Sequence, residues 1–187
     1  MSILTTHFSK IEKPYTGQEL RPHFLLTEFG LKGAALAAFI GPCHVQTEHL
    51  VDWEDRLAHD RIEAKSMIHF IGEFFGYQLR EGVLIQRFLM AQMGEILNSF
   101  NQGRFTRVGD DLFCQEKKLS VSIVTASPVS ILLHSGINLD PAGAPVPAIG
   151  LEKIGIEAER FIPTVLATFA REWTEMEWAC AKVRPVI

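Results

Sequence analysis

Three strand-like segments follow one another through tight connections between residues 111 and 139, and this run constrains the fold more than any other part of the chain. DLFC (111–114), KKLSVSIVT (117–125) and VSILLHSGINL (129–139) are rich in aliphatic and β-branched residues, with only a few residues between them. Connections that short join antiparallel neighbours, because a parallel return needs a crossover of a dozen residues or more. In the middle segment Leu119, Val121 and Ile123 alternate with Lys118, Ser120 and Ser122. That period of two predicts an apolar face over a core and a polar face under a solvated cleft.

The flanking segments read as a mixture of strands and helices. FLLTEF (24–29) and GAALAAFI (33–40) are expected to form two short strands in a hairpin, with a glycine at each end of the connection. SMIHFIGEFF (66–75) is ambiguous on periodicity, and its Gly72 and aromatic residues favour a strand. VLIQRFLMAQMGEILNSF (83–100) predicts a helix, with Ile85, Phe88, Leu89, Met93, Ile96 and Leu97 on one stripe and a stop at Asn101-Gln-Gly103. A second helix is expected over about 158–183, where Ile162, Leu166, Phe169, Trp173, Met176, Cys180 and Val183 step by four and three. Residues 1–22 read as an irregular lead-in, and 140–150 as a Pro/Gly-rich loop. The expectation is a single α+β domain over 1–187, a mostly antiparallel sheet flanked by helices.

Composition narrows the class further. Hydrophobic residues at 47% and charged residues at 21% suit a globular chain. A formal charge of −4 provides no broad basic field, so general nucleic-acid binding is not expected. Cys43, Cys114 and Cys180 are odd in number and form no CxxC pair, which fits a reducing compartment. The start of the chain lacks the apolar core of a signal peptide, and the longest apolar run is far short of the roughly 20 residues that span a bilayer. A cytoplasmic protein without a membrane anchor is expected.

Common chemical motifs are absent: no GxxxxGK[ST], GxGxxG, GxSxG or HExxH. What remains is Asp110-Asp111-Leu112, then Lys117-Lys118-Leu119-Ser120, then His134-Ser-Gly136-Ile-Asn138-Leu139, followed by PAIGLEKIGI at 147–156. In order and approximate spacing this series resembles the catalytic domain of biotin and lipoate protein ligases. Over the whole chain, LRPHFLLTEFG, FIGPCHV, HLVDWED, GDDLF, KLSVSIVTASPVS and HSGIN resemble an uncharacterised prokaryotic family, domain of unknown function 366.

The ligase resemblance implies roles for individual residues. Lys118 takes the place of the lysine that contacts both an acyl carboxylate and a nucleotide α-phosphate, and Asp111 that of the aspartate near lysine and metal. ATP and Mg²⁺ are the cofactors so implied. Ser120, Ser122, His134 and Asn138 are candidate substrate contacts. Neither the Gly-Arg-Gly-Arg-Arg-Gly run of biotin ligases nor the Arg-Arg-x-Ser-Gly-Gly-Gly run of lipoate ligases is present. No cysteine lies between Cys114 and Cys180, which leaves the octanoyl-transferase chemistry without its nucleophile.

CHVQTEHLVDWEDRLAHD (43–60) gathers Cys43, His44, Glu48, His49, Asp52, Glu54, Asp55, His59 and Asp60. Such groups can bind a cation, but their spacing matches no metal pattern, and no metal ligand is assigned. The same stretch occupies the place of the missing glycine-rich segment, so Cys43, His44, His49 and Asp52 are further candidates to line a ligand pocket; the alternative is a solvated acidic loop with Val51 and Trp53 tucked inward. Arg21, His23, Arg104 and Arg107 are weak candidates for an anion clamp.

The reading favoured is an enzyme that binds a small carboxylate or acyl-nucleotide and performs acyl activation or transfer. A non-catalytic ligand-binding module and a metal-dependent hydrolase centred on 43–60 stay open as alternatives, as does a homodimer.

Overall fold

Three long strands carry the architecture. β2 (Ala35–Val45), β3 (Ile62–Phe75) and β8 (Ser130–Asp140) pair antiparallel in the computed structural model, which describes residues 3–100 and 104–186. β1 (Thr5–Phe8) adds to β2 in parallel, and β7 (Ser120–Ala126) closes the other edge antiparallel to β8. The sheet order is therefore β1-β2-β3-β8-β7, and a small second sheet contains β4 (Phe105–Val108), β5 (Asp111–Cys114) and β6 (Lys117–Lys118).

One face of the large sheet is covered by α3 (Leu79–Ser99) and α5 (Ala158–Lys182). Leu36, Ile68, Phe70, Phe74, Leu133 and Ile137 meet Leu89, Met93, Phe161, Val165 and Phe169 in this core. The opposite face packs a smaller cluster, in which Ala35, Ala37, Phe39, Met67 and Ile71 lie with Tyr15 and with Phe24 and Leu25 of α1 (Phe24–Phe29). β3 is thus buried on both faces. Strands in that position read as continuous apolar runs, which explains why periodicity left 66–75 undecided.

Several expectations are corrected. FLLTEF is helix α1, entered from His23 at φ 62° and closed by Gly30 at φ 68°, so no hairpin joins it to β2. The Gly30 N–H reaches Leu26 O, the glycine acting as a left-handed helix stop. The lead-in contains β1, and its residues Lys13 to Tyr15 run along β2: Lys13 N donates to Ile40 O, Tyr15 N to Pro42 O and His44 N to Tyr15 O. β2 bulges between Gly41 and Cys43, which accommodates Pro42 and its missing N–H. Phe88 in α3 and Met176 and Cys180 in α5 are exposed, as is Val183 just beyond α5, so only the first part of the α5 stripe meets the core. The expected helix stop at 101–103 lies outside the described residues. Among the described residues no helix is long and apolar enough to cross a membrane.

The predicted strand 117–125 is two strands in two sheets, divided at Leu119. Lys118 pairs with Phe113 in the small sheet, whereas Ser120 pairs with Ile137 in the large one. This break resets the alternation. Ser120 and Ser122 stand opposite Ile137 and Ser135, on the α3 face, so Val121 and Ile123 turn toward the other side.

Gly41 has a role that sequence alone does not show. A Cβ there would collide with the carbonyl oxygen and carbon of Lys13, so the pairing of the lead-in along β2 requires glycine. Gly41→Ala is expected to lower stability by about 2 kcal/mol through this overpacking. The check is a lower urea midpoint at unchanged slope; an unshifted midpoint would show that the approach is not tight.

Candidate active site

On the side of the sheet away from α3 and α5, a cavity of about 380 Å³ opens where both sheets, the lead-in and the 49–61 segment converge. β8 contributes His134 and Asn138 to its wall, β7 contributes Val121 and Ile123, β3 contributes Met67, and the lead-in contributes Tyr15. Lys118 and Asp111 come from the small sheet, and His49, Asp52, Asp55 and Asp60 from the polar segment.

Lys118 is placed by its backbone on two sides. It pairs with Phe113 across a two-residue turn whose central residues, Gln115 and Glu116, have φ of 52° and 60°, the conformation that tight hairpins use. On its other side Lys118 N donates to Pro147 O, and Ile149 N donates to Lys118 O. Its Nζ then meets Asp111 Oδ2 at 2.9 Å, with both side chains about one third exposed. Burial pushes the Asp111 carboxyl above the usual aspartate range, and the hydrogen bond and charge of Lys118 act against that rise. Asp55 is also raised, by burial and then by Asp52 and Asp60, while Lys118 again opposes. The wall as a whole carries six carboxylates, on Asp52, Asp55, Asp60, Glu63, Asp110 and Asp111, against the cations of Arg61 and Lys118 in the lining and of Arg87, 3.3 Å from Asp110. An uncompensated anion is repelled there unless it sits at Lys118.

Beneath the charged rim lies a buried histidine pair. His69 Nδ1 and His134 Nε2 are 3.1 Å apart, and His69 Nε2 lies 3.2 Å from Gly41 O. Tyr15 stacks on His134 with ring centres 3.7 Å apart and planes 10° from parallel. Burial drives both imidazoles down, His69 to about 3 and His134 well below the usual histidine value, so both are neutral at physiological pH.

Of the residues singled out from the sequence, Lys118, Asp111, His134, Asn138, His49 and Asp52 share this cavity. Asp52 also caps α2 (Trp53–Leu57), accepting from Glu54 N at 2.7 Å, which limits its freedom to bind a ligand. Ser122 borders the cavity, yet its hydroxyl contacts Gln86 of α3 and Ser135. Ser120 is fully buried, its Oγ accepting from Leu112 N at 2.8 Å, and is out of reach of a ligand. Cys43 is enclosed within the sheet beside Tyr15, where burial pushes its thiol up to about 12, and it does not line the cavity. His44 faces outward, 3.9 Å from Glu63. Val51 and Trp53 are exposed rather than tucked in. Residues 43–60 disperse between core, rim and solvent, and among the described residues no group of three or more His, Cys, Asp or Glu could hold a metal ion. Arg21, His23, Arg104 and Arg107 do not line the cavity. Tyr15 and His69 went unnoticed in the sequence; a lone histidine inside the apolar run 66–75 was the available signal.

Comparison with other proteins bears on the family and the fold. Residues 4–184 match the family described as Domain of unknown function (DUF366). An uncharacterized protein of Methanocaldococcus jannaschii is 32% identical over 194 residues, spanning 100% of this chain and 86% of its own. A protein of unknown function from Pyrococcus horikoshi superposes with a TM-score of 0.94 at 33% identity, over 98% of this chain and 100% of that one. The biotin protein ligase of Aquifex aeolicus, solved as a point mutant with biotin, superposes with a TM-score of 0.59 at 17% identity, over 91% of this chain and 70% of the ligase. The same ligase with biotin and ATP gives 0.54 at 17% identity, over 92% and 71%. The fold is that of biotin and lipoate protein ligases.

Because Lys118 is what holds the Asp111 carboxyl down, Lys118→Ala should raise the Asp111 pKa further. Carboxyl carbon NMR shifts followed against pH read this directly. An unchanged or lower Asp111 pKa in the variant would contradict the pairing.

Proposed function

The chain belongs to the DUF366 family, and on that premise we propose that its cavity binds a small carboxylate or acyl-nucleotide and carries out acyl activation or transfer. The observation that supports this is the position of Lys118. Its ammonium stands in the wall of an open cavity, oriented by Asp111 at 2.9 Å, in a fold shared with a ligase that holds biotin. A cation so placed attracts a ligand carboxylate and stabilises charge that develops when the carboxylate attacks phosphorus or an acyl carbon is attacked. It does so without giving up a proton, and Asp111 fixes its direction in advance. Val121, Ile123 and Met67 would line the apolar part of the ligand.

A nucleotide is a harder fit. Six carboxylates against three cations, Arg61, Lys118 and the Arg87 paired with Asp110, oppose a bare polyphosphate. The residues fit a phosphate group that arrives with a divalent cation, since Mg²⁺ takes only one or two protein carboxylates and fills its remaining positions with water and phosphate. Asp111 and Asp55 are the side chains that would share it. When bound, such an ion supplies the charge neutralisation that the acidic rim lacks.

A binding module without catalysis is the second reading, favoured by this acid surplus and by the absent glycine-rich runs. The reading of 43–60 as the centre of a metal hydrolase has no ligand cluster behind it among the described residues.

The test is calorimetric titration with Mg²⁺-ATP and with a non-hydrolysable acyl-adenylate analogue, beside pyrophosphate release with a panel of carboxylic acids. Lys118→Ala is expected to slow turnover about 100-fold, the scale of a lost transition-state donor. A variant that turns over at the wild-type rate sinks the assignment of Lys118. Saturable ligand binding without turnover of any acid selects the binding module.

A further inference from the structure

The buried histidine pair fixes its own protons, and with them the chemistry of the cavity floor. A carbonyl oxygen can only accept, so the contact of His69 Nε2 with Gly41 O places a proton on Nε2. A neutral imidazole carries one N–H, so His69 Nδ1 is then a lone pair. His134 Nε2, 3.1 Å away, must be the donor of that bond. What is left is His134 Nδ1, unprotonated, on a side chain 2% exposed that lines the cavity. Among the described residues no group donates to it. Protonation offers no escape, because burial strongly disfavours the imidazolium.

Asn138 repeats the pattern. It follows His134 by four residues, so both project from the same face of β8. Its Nδ2 donates to Lys118 O, which leaves Oδ1 as the open end, and among the described residues nothing donates to that oxygen. Between the two lies Gly136, where a side chain would collide with Met67 Sδ and meet Val121 Cγ2 at 3.0 Å. The β8 wall therefore alternates acceptor, apolar floor, acceptor over roughly 13 Å of strand. The carboxylates of the rim are acceptors as well. Among the described residues Lys118 and Arg61 are the only charged donors in the lining.

A ligand that displaces solvent from these acceptors without donating to them leaves them unpaired at a cost in free energy, so a ligand that enters this cavity is selected by the donors it brings. We propose that the ligand is a small carboxylate carrying an N–H donor at the end remote from Lys118, and that His134, through its unprotonated Nδ1, is the residue that selects it. A plain hydrocarbon tail would strand the His134 acceptor, whereas an amine at that end satisfies it; Asn138 Oδ1, beside Lys118, lies at the carboxylate end. The proposal rests on the reading of the cavity as the ligand site with Lys118 at its carboxylate end, and its test separates the two.

The probes are ω-amino carboxylates of four to ten carbons and straight-chain carboxylates of the same lengths, titrated calorimetrically into wild type, His134→Leu, His134→Asn and Lys118→Ala. At least one amino compound should bind wild type about tenfold or more tighter than its plain counterpart, the usual scale of discrimination by a buried polar partner. His134→Leu should lose that preference. His134→Asn, which returns an oxygen acceptor close to the Nδ1 place, should keep most of it. Lys118→Ala should weaken both series alike. In long-range ¹H–¹⁵N spectra of the wild type, both imidazoles should be Nε2-protonated between about pH 5 and 8. Equal affinity for the two series overturns the proposal, and if Lys118→Ala still weakens both, the Lys118 reading survives alone. A His134 Nδ1–H tautomer or an imidazolium in that range overturns it too, whatever the folding of the Leu variant. Failure of both series to bind wild type refutes this ligand class.

Discussion

A strand buried on both faces can keep polar side chains only where their hydrogen bonds are fully made, and β3 keeps two such residues that organise what surrounds it. Glu73 receives the His23 N–H at 2.9 Å and the Ser130 hydroxyl at 2.7 Å, which ties the start of α1 and the start of β8 to the centre of the sheet. His69 contacts Gly41 O and His134, which ties the β2 bulge to the cavity face of β8. The left-handed backbone at His23 occurs where Glu73 holds irregular chain against β3, and the close approach of Lys13 to Gly41 occurs on β2 at the residue whose carbonyl His69 contacts. Removing either polar group would leave partners buried and unsatisfied, so the strand that looks most apolar in the sequence sets the geometry of the polar site.

The parts of the fold that the sequence revealed were those governed by local periodicity. The long helices and the strand 130–140 follow from stripes and apolar runs that no tertiary contact needs to correct. The misreadings have a common cause in contacts distant in sequence. FLLTEF is six residues long, too short for periodicity to tell helix from strand, and it becomes helical because Phe24 and Leu25 pack on the sheet while Gly30 stops the turn. The strand 117–125 breaks at Leu119 because Leu119 N bonds Leu112 O while its carbonyl accepts from Asn138 N, so one residue serves two sheets. That single break moved Ser120 and Ser122 from the expected cleft face to the α3 face. Lys118 kept its place at the cavity because it lies on the near side of the break.

Candidate site residues were legible where chemistry was concentrated and invisible where it was spread. Asp111 and Lys118 stand seven positions apart on one hairpin, so the sequence presents them together. His69 and His134 are 65 residues apart; His134 stands out only through the resemblance of the His134-Ser-Gly136 series, while His69 lies alone in an apolar run, where a histidine reads as filler. Tyr15 belongs to a stretch with no period at all, and it reaches the site only because Tyr15 pairs with Cys43 beyond the β2 bulge.

The cavity combines features that pull in opposite directions, and their balance says what kind of ligand it tolerates. The fold is shared with proteins whose ligands are anionic, yet the rim is dominated by carboxylates, two of them with raised pKa values. Raised carboxyls signal unmet demand for positive charge in a partly desolvated place. Lys118 meets part of that demand and opposes the rise at both Asp111 and Asp55. A ligand carboxylate that recruits Lys118 would therefore weaken the compensation of its neighbours unless the ligand returns positive charge elsewhere. An amine at its far end, or a divalent cation carried with a phosphate, restores the balance. The electrostatics thus favour a ligand that brings its own cation over one that brings negative charge alone.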